Sequence, residues 1–152
     1  MSETTAPLPS AVSATSAGPR TLTAGRRRAR IALRGLEVLL ALFYGIASAL
    51  PKLIAHPSAA ESFDKLGWGD TGMYAIGVLE LAGAVALLVP VLRSVAAASL
   101  GALMVGAFIV TIVAFDGENA ATPLILLVPL GIIAWARRDS VKDLARLVRR
   151  TP

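Results

Sequence analysis

The chain has 152 residues, of which 55% are hydrophobic and only 16% charged; this is enough for one domain, but too apolar for an ordinary soluble fold, so a membrane protein is the default. The formal charge of +5 does not point to nucleic acid, because the basic residues flank apolar spans and aromatics are scarce. Such flanks set membrane topology. Having no cysteine and a single histidine, His56, one chain cannot form a disulfide, a thiolate-held iron–sulfur cluster, a bis-histidine haem site or a histidine-rich metal site.

Residues 1–25 are dominated by Ser, Thr, Ala, Pro and Gly without apolar periodicity, and read as a disordered cytoplasmic tail. Arg26, Arg27, Arg28 and Arg30 follow and should hold this end in the cytoplasm. Span one, residues 31–50, is long enough to cross a hydrocarbon layer of about 30 Å. Its Ala47-Ser48-Ala49 has the form of a signal-peptidase site, but the basic region begins late and Arg34 and Glu37 interrupt the apolar run, so the span is expected to be retained. Arg34, Glu37, Ala41, Tyr44, Ser48 and Lys52 fall on one stripe at steps of three and four, which makes one face of this span partly polar. Ala41, Gly45 and Ala49 give close-packing spacing on an adjoining face. Pro51 has no N–H, which should free the carbonyl of Ala47 and loosen the helix there.

Between spans one and two, Ser58 and Glu61 form a capping-box pattern, Phe63 and Leu66 a short apolar face, and Gly67 a terminator. A short surface helix is expected, with Trp68 at headgroup depth. Span two, residues 72–90, is almost purely apolar except for Glu80. A carboxylate in lipid costs a few kcal/mol or more, and Met73, Gly77, Gly83, Ala84 and Leu87 share its face. Most of these are small, so Glu80 should face a neighbouring helix.

Span three covers residues 94–115, with Ala97, Gly101, Ala98, Ala102 and Gly106 as a small-residue surface. Span four covers residues 121–136. Residues 139–152 form a basic amphipathic segment, with Ser140 and Asp143 as a weak capping box and Val141, Leu144, Ala145 and Val148 on one face, suited to an anionic leaflet. The expected fold is therefore all-α: an integral-membrane four-helix bundle over residues 26–138, with a surface helix after span one and an amphipathic C-terminal helix. Thirteen Lys and Arg lie on the side of the two termini and only Lys52 and Lys65 opposite, which predicts both termini in the cytoplasm.

The main chemical candidates are Lys52 and Glu80. Helical side chains lean toward the N-terminus, so Lys52 can lean inward to Glu80, which is expected in the outer half of the bilayer. A structural ion pair is the leading reading, a proton or ligand site the next, and a protonated, unpaired Glu80 the third. Glu37 is expected to pair with Arg34 one turn away. Tyr44 and Ser48 are helix-contact residues or the lining of a small polar cavity, and His56 is a solvated loop residue. No nucleophile–base set, phosphate loop, dinucleotide fingerprint or metal motif is present.

Pro51-Lys52-Leu53, Phe63 with Leu66-Gly67, Ile76-Gly77-Val78-Leu79-Glu80 with Pro90, and Leu103-Met104-Val105-Gly106-Ala107 together resemble the DoxX-like family of small four-helix membrane proteins, over residues 30–138. Many members have a histidine after the threonine late in span three; here Thr111 is followed by Ile112, so no role of that histidine carries over. The resemblance implies a bundle in the bacterial plasma membrane. The family name derives from membrane subunits linked to thiosulfate oxidation with quinone as acceptor, and other members are associated with oxidoreductase partners. Three functions are expected in turn. The first is a partner or scaffold subunit of a membrane redox system, possible also as a homo-oligomer. The second is a quinone-linked oxidoreductase subunit using Glu80 for proton transfer beside Tyr44 and Ser48. The third is a small solute or proton transporter using the span-one stripe. The residues themselves name no cofactor.

Overall fold

The computed structural model describes residues 20–150. Among these there are helices and no β-strand. The order is α1 (Arg20–Leu42), a π-helical segment (Phe43–Ala49), α2 (Leu50–Leu53), α3 (Pro57–Lys65), α4 (Gly69–Leu88), α5 (Arg93–Ala114), α6 (Ala121–Ala136) and α7 (Asp139–Arg150). Three apolar runs are long enough to cross a membrane, Ala24–Leu53, Gly69–Leu88 and Arg93–Ala114; the fourth, Ala121–Ala136, is shorter, spanning about 24 Å at the usual helical rise.

The first helix changes pitch for a covalent reason. In a regular α-helix the carbonyl of Ala47 would accept from residue 51, which is proline and has no N–H to give. The segment before it winds wider, and the N–H of Leu50 reaches back five residues to the carbonyl of Gly45. The chain then leaves α2 through Ala55, whose φ of 51° is left-handed. The N–H of His56 bonds the carbonyl of Pro51 at 2.8 Å, closing the helix end in a Schellman arrangement.

Helix α3 ends in the same way on Gly67 (φ +70°). Trp68 N–H donates to the Phe63 carbonyl at 3.1 Å and Gly67 N–H to that of Asp64 at 2.9 Å, with the rings of Phe63 and Trp68 6.3 Å apart across the cap. Its start differs from the expected capping box. His56 is the N-cap, its ring nitrogen accepting from Ser58 N–H at 3.4 Å, with Pro57 at the first position. Proline is pre-organised there, so the helix begins before Ser58, and Glu61 lies 3.9 Å from Lys65 instead.

Two other boundaries move. Residues 20–25, expected in a disordered tail, are helical and belong to α1, since the arginine-rich run is a good helix former; residues 1–19 lie outside the described residues. Helix α7 starts at Asp139. The hydroxyl of Ser140 donates to the carbonyl of Arg137 at 2.7 Å and so closes the preceding turn instead of capping. The side chains of Asp143 and Leu144 lie outside the described residues.

The core forms where the four long elements meet. Leu40, Ala41 and Tyr44 pack with Ala84 and Leu87 of α4, with Ala96, Ala97, Leu100 and Met104 of α5, and with Leu130 and Ile133 of α6. The outward faces are apolar as well, with Ile46, Val78, Val85, Ile109, Val113, Ile125 and Val128 all more than half exposed. Such a surface is matched by hydrocarbon and not by water. Multi-pass membrane embedding follows from helices of this length with apolar exteriors.

Close approach is decided at Gly77. A Cβ built there would stand 3.0 Å from Cβ of Lys52 and 3.2 Å from Cδ2 of Leu53. Gly77→Val should therefore push α2 off α4 and lower stability by about 1–3 kcal/mol. Unfolding of the detergent-solubilised protein measures this, and wild-type stability would show that the contact is not tight.

Candidate functional site

The bundle buries two carboxylates, Glu37 at 2% and Glu80 at 4% exposure. Buried charge persists only with a counter-charge and hydrogen bonds, so each carboxylate marks a place where helices were brought together.

Glu80 lies on the face formed by Met73, Gly77, Ala84 and Leu87, all buried. Its Oε2 accepts from Nζ of Lys52 at 2.8 Å. The same ammonium donates to the carbonyl of Ser48 at 2.9 Å and to its Oγ at 3.1 Å. All three donor directions of the ammonium thus have acceptors. Two of them are supplied one turn back along the chain, in the direction helical side chains lean. Because α4 begins at Gly69, Glu80 is the twelfth of its twenty residues, near the middle of the helix.

Glu37 does not pair with Arg34. Its Oε1 accepts from Nε of Arg137 at 2.7 Å, and its Oε2 lies 3.2 Å from Nε of Arg93. The Arg93 N–H is not aligned for a hydrogen bond, so that contact is ionic. Arg34 at one turn's distance offered a solvent-exposed pair. Two cations from the ends of other helices offer a buried one, and burial strengthens the attraction. Arg93 and Arg137 were not anticipated as partners, although both lie on the same membrane side as Glu37 by the charge count. Ser94 adds a bond from its hydroxyl to the carbonyl of Ala134 at 3.0 Å, tying α5 to α6 beside the cluster.

Tyr44 is fully buried in the core, edge-on to Phe43 with ring centroids 5.6 Å apart. Its hydroxyl has no hydrogen-bond partner. It is a helix-contact residue and does not line the cavity next to Lys52 and Glu80; Phe43 and Ser48 do. The tyrosine ring is drawn inward by the apolar side chains of all four long elements.

That cavity has a volume of about 520 Å³ and opens at the end of the bundle carrying α3 and the α5–α6 turn. Lys52, Glu80 and Ser48 form one wall, Phe63, Leu66 and Trp68 a second, and α5 and α6 the rest, through residues that include Leu103, Gly106, Val110, Thr111 and Leu126. Its surface is mainly apolar, with polar groups at Ser62, Thr111, Asn119 and Thr122 and the exposed carboxylate of Glu118 besides the ion pair. Phe63 and the small α5 residues were visible in the sequence; their convergence on one space was not. Among the described residues no group of three or more acidic or histidine side chains could hold a metal ion, and His56 is exposed on the surface as a helix cap.

The sequence pattern of the DoxX-like family matches residues 35–133, well over half of the chain. The protein belongs to the DoxX-like family. None of the curated proteins and none of the solved structures compared with it matches. The matched region holds Glu37, Lys52, Glu80, Arg93 and every residue lining the cavity, while Arg137 lies just beyond it. This DoxX-like protein is therefore a helical membrane protein whose described residues form two buried ion-pair centres and a mainly apolar cavity.

Removing either carboxylate separates the two centres energetically. Glu80→Gln leaves one ammonium with its two Ser48 contacts, and should cost about 2–3 kcal/mol. Glu37→Gln strands two guanidinium groups and should cost more, about 3–5 kcal/mol. The double change Lys52→Met with Glu80→Leu should recover most of the Glu80→Gln loss, since apolar replacement of a buried pair is often neutral. Thermal unfolding of the variants in one detergent ranks them; equal losses for Glu37→Gln and Glu80→Gln would contradict the assignment.

Proposed function

We propose that this DoxX-like protein is a membrane subunit that binds an uncharged, largely apolar small molecule with a polar head, and that quinone is the class it takes as part of a membrane redox system. The observation that carries this reading is a mainly apolar cavity of about 520 Å³ whose charged wall, Lys52 with Glu80, is neutral as a pair. At that wall a charged ligand would have to displace one partner of a short buried contact; the remaining charged group of the lining, Glu118, is exposed on the α5–α6 turn. A neutral head group has only to share the donor and the acceptor already present, with Ser48, Ser62, Asn119 and Thr122 as further partners.

A quinone fits this donor set. Its carbonyl oxygens accept hydrogen bonds, its reduced form donates them, and its tail is apolar. When bound it supplies the two-electron chemistry. The chain's own contribution is to hold the head beside Lys52 and to offer Glu80 Oε2 as the site where a proton is taken up or released. Without cysteine, and with a single exposed histidine, the electrons belong to a partner enzyme, which is why a subunit role is preferred to an enzyme acting alone. The excess of Lys and Arg on the side of both termini supports a cytoplasmic placement of those ends in a bacterial plasma membrane. Against a transport path stand Ala41 and Tyr44, which are packed into the core between Glu37 and Lys52.

Full-length protein taken from its own membrane into nanodiscs, with bound small molecules extracted and identified by mass spectrometry, tests the reading. Wild type should carry quinone above the level of the surrounding lipid. Gly106 lines the cavity, and a Cβ built there meets nothing within 4 Å, so Gly106→Leu should fill the space and lose the quinone without changing the unfolding midpoint. Equal quinone content in wild type and Gly106→Leu would sink the proposal and leave the scaffold role, with Lys52–Glu80 as a purely structural tie.

A further inference from the structure

The opposite end of the bundle carries a second concave site. Arg27, Arg30 and Arg34 of α1, Arg93 at the start of α5 and Arg137 just after α6 line a cleft of about 890 Å³ together with Ala24 and Ile31. These arginines come from three distant parts of the chain. A topology signal needs only basic residues near the membrane surface; it does not need them to converge on one concavity.

Among the described residues the charge of the cleft is not balanced. Glu37, outside the lining, is the carboxylate that reaches its arginines. That group is shared between Arg93 and Arg137, through their Nε atoms. Five guanidinium groups thus surround a cleft with no acidic residue in its lining, and Arg93 is only 7% exposed. Arg34 and Arg137 each also oppose the charge on Arg93. Like charges held this close call for an anion. Guanidinium forks match phosphate oxygens in pairs, and Ile31, 61% exposed at the edge of the cleft, offers apolar surface to an acyl chain.

We infer that this cleft is a binding site for a phosphate-bearing anion, supplied by the head group of an anionic phospholipid in the leaflet on the side of the two termini. The placement fits a lipid, because the cleft lies where the apolar part of α1 gives way to its arginines, and its Arg137 stands two residues before α7. Helix α7 carries Lys142, Arg146 and Arg149 and leaves Val141 and Val148 exposed. Of the five arginines only Arg93 falls within the region matched by the family, so the cleft does not follow from family membership.

The test uses full-length protein exchanged into vesicles of phosphatidylcholine with a minor share of phosphatidylglycerol, followed by native mass spectrometry of the lipids retained. Phosphatidylglycerol should be retained over phosphatidylcholine. The double variant Arg30→Gln with Arg34→Gln spares both partners of Glu37, and should reduce that preference roughly thirtyfold, each arginine contributing on the usual scale at an anionic surface. The control pair Arg26→Gln with Arg149→Gln removes the same charge outside the cleft lining, and should leave the preference nearly unchanged. In a parallel arm without anionic lipid, saturable binding of inorganic phosphate or pyrophosphate that is lost in the Arg30/Arg34 variant would keep the site but assign it to a soluble phosphate. Equal retention of the two lipids with no phosphate binding would overturn the inference, as would the same loss in both double variants.

Discussion

An apolar bundle can hold a carboxylate only where a cation reaches it, and this constraint decides how the helices sit. Glu37 is met by Arg93 and Arg137, which joins α1 to the start of α5 and the end of α6. Glu80 is met by Lys52, which joins α4 to the short helix following the π-helical turn. In a low-dielectric interior an unmatched charge costs far more than a missing apolar contact. Apolar faces tolerate sliding, and the ion pairs do not. The lipid-facing surface specifies almost nothing about helix order, so the charged contacts carry much of the specificity.

The two ends of the molecule differ as a consequence. At the end of the termini, two arginines converge on one carboxylate and Ser94 bonds the neighbouring helix, so the helices are held together around a basic cleft. At the other end Pro51 widens the helix before it, and Gly77 lets α2 lie against α4. The chain then turns outward into α3. This geometry draws Lys52 in toward Glu80 and leaves the cavity bounded by Phe63, α5 and α6. A covalent feature of one residue, the missing N–H of proline, thus contributes to the position of a charge and to the shape of the space beside it.

Some of the site was legible in the sequence because helix geometry is regular. Spacing alone placed Arg34, Glu37, Tyr44, Ser48 and Lys52 on one stripe, and the small residues around Glu80 implied a helix neighbour. Within a helix, periodicity gives direction; it does not say which partner wins. Glu37 had Arg34 one turn away, yet its contacts come from residues 56 and 100 positions distant, because burial favours them. The same stripe left Tyr44 either as a helix contact or at a polar cavity, and packing chose the first. The capping pattern at Ser58 yielded to Pro57 and His56 for an equally local reason that the motif did not weigh.

By itself the sequence determined the class of the protein: apolar runs of the length of a bilayer, basic residues gathered on one side, no cysteine, and an acidic residue that had to find company. These follow from composition and from the 3.6-residue period, which are properties of each segment alone. The tertiary structure decided everything that depends on helices meeting. It chose Arg93 and Arg137 for Glu37, brought Lys52 within 2.8 Å of Glu80, buried Tyr44, and gathered residues 43–126 around one cavity. Those outcomes depend on the rotation and depth of each helix against its neighbours, which packing sets for the whole bundle at once and no single segment encodes.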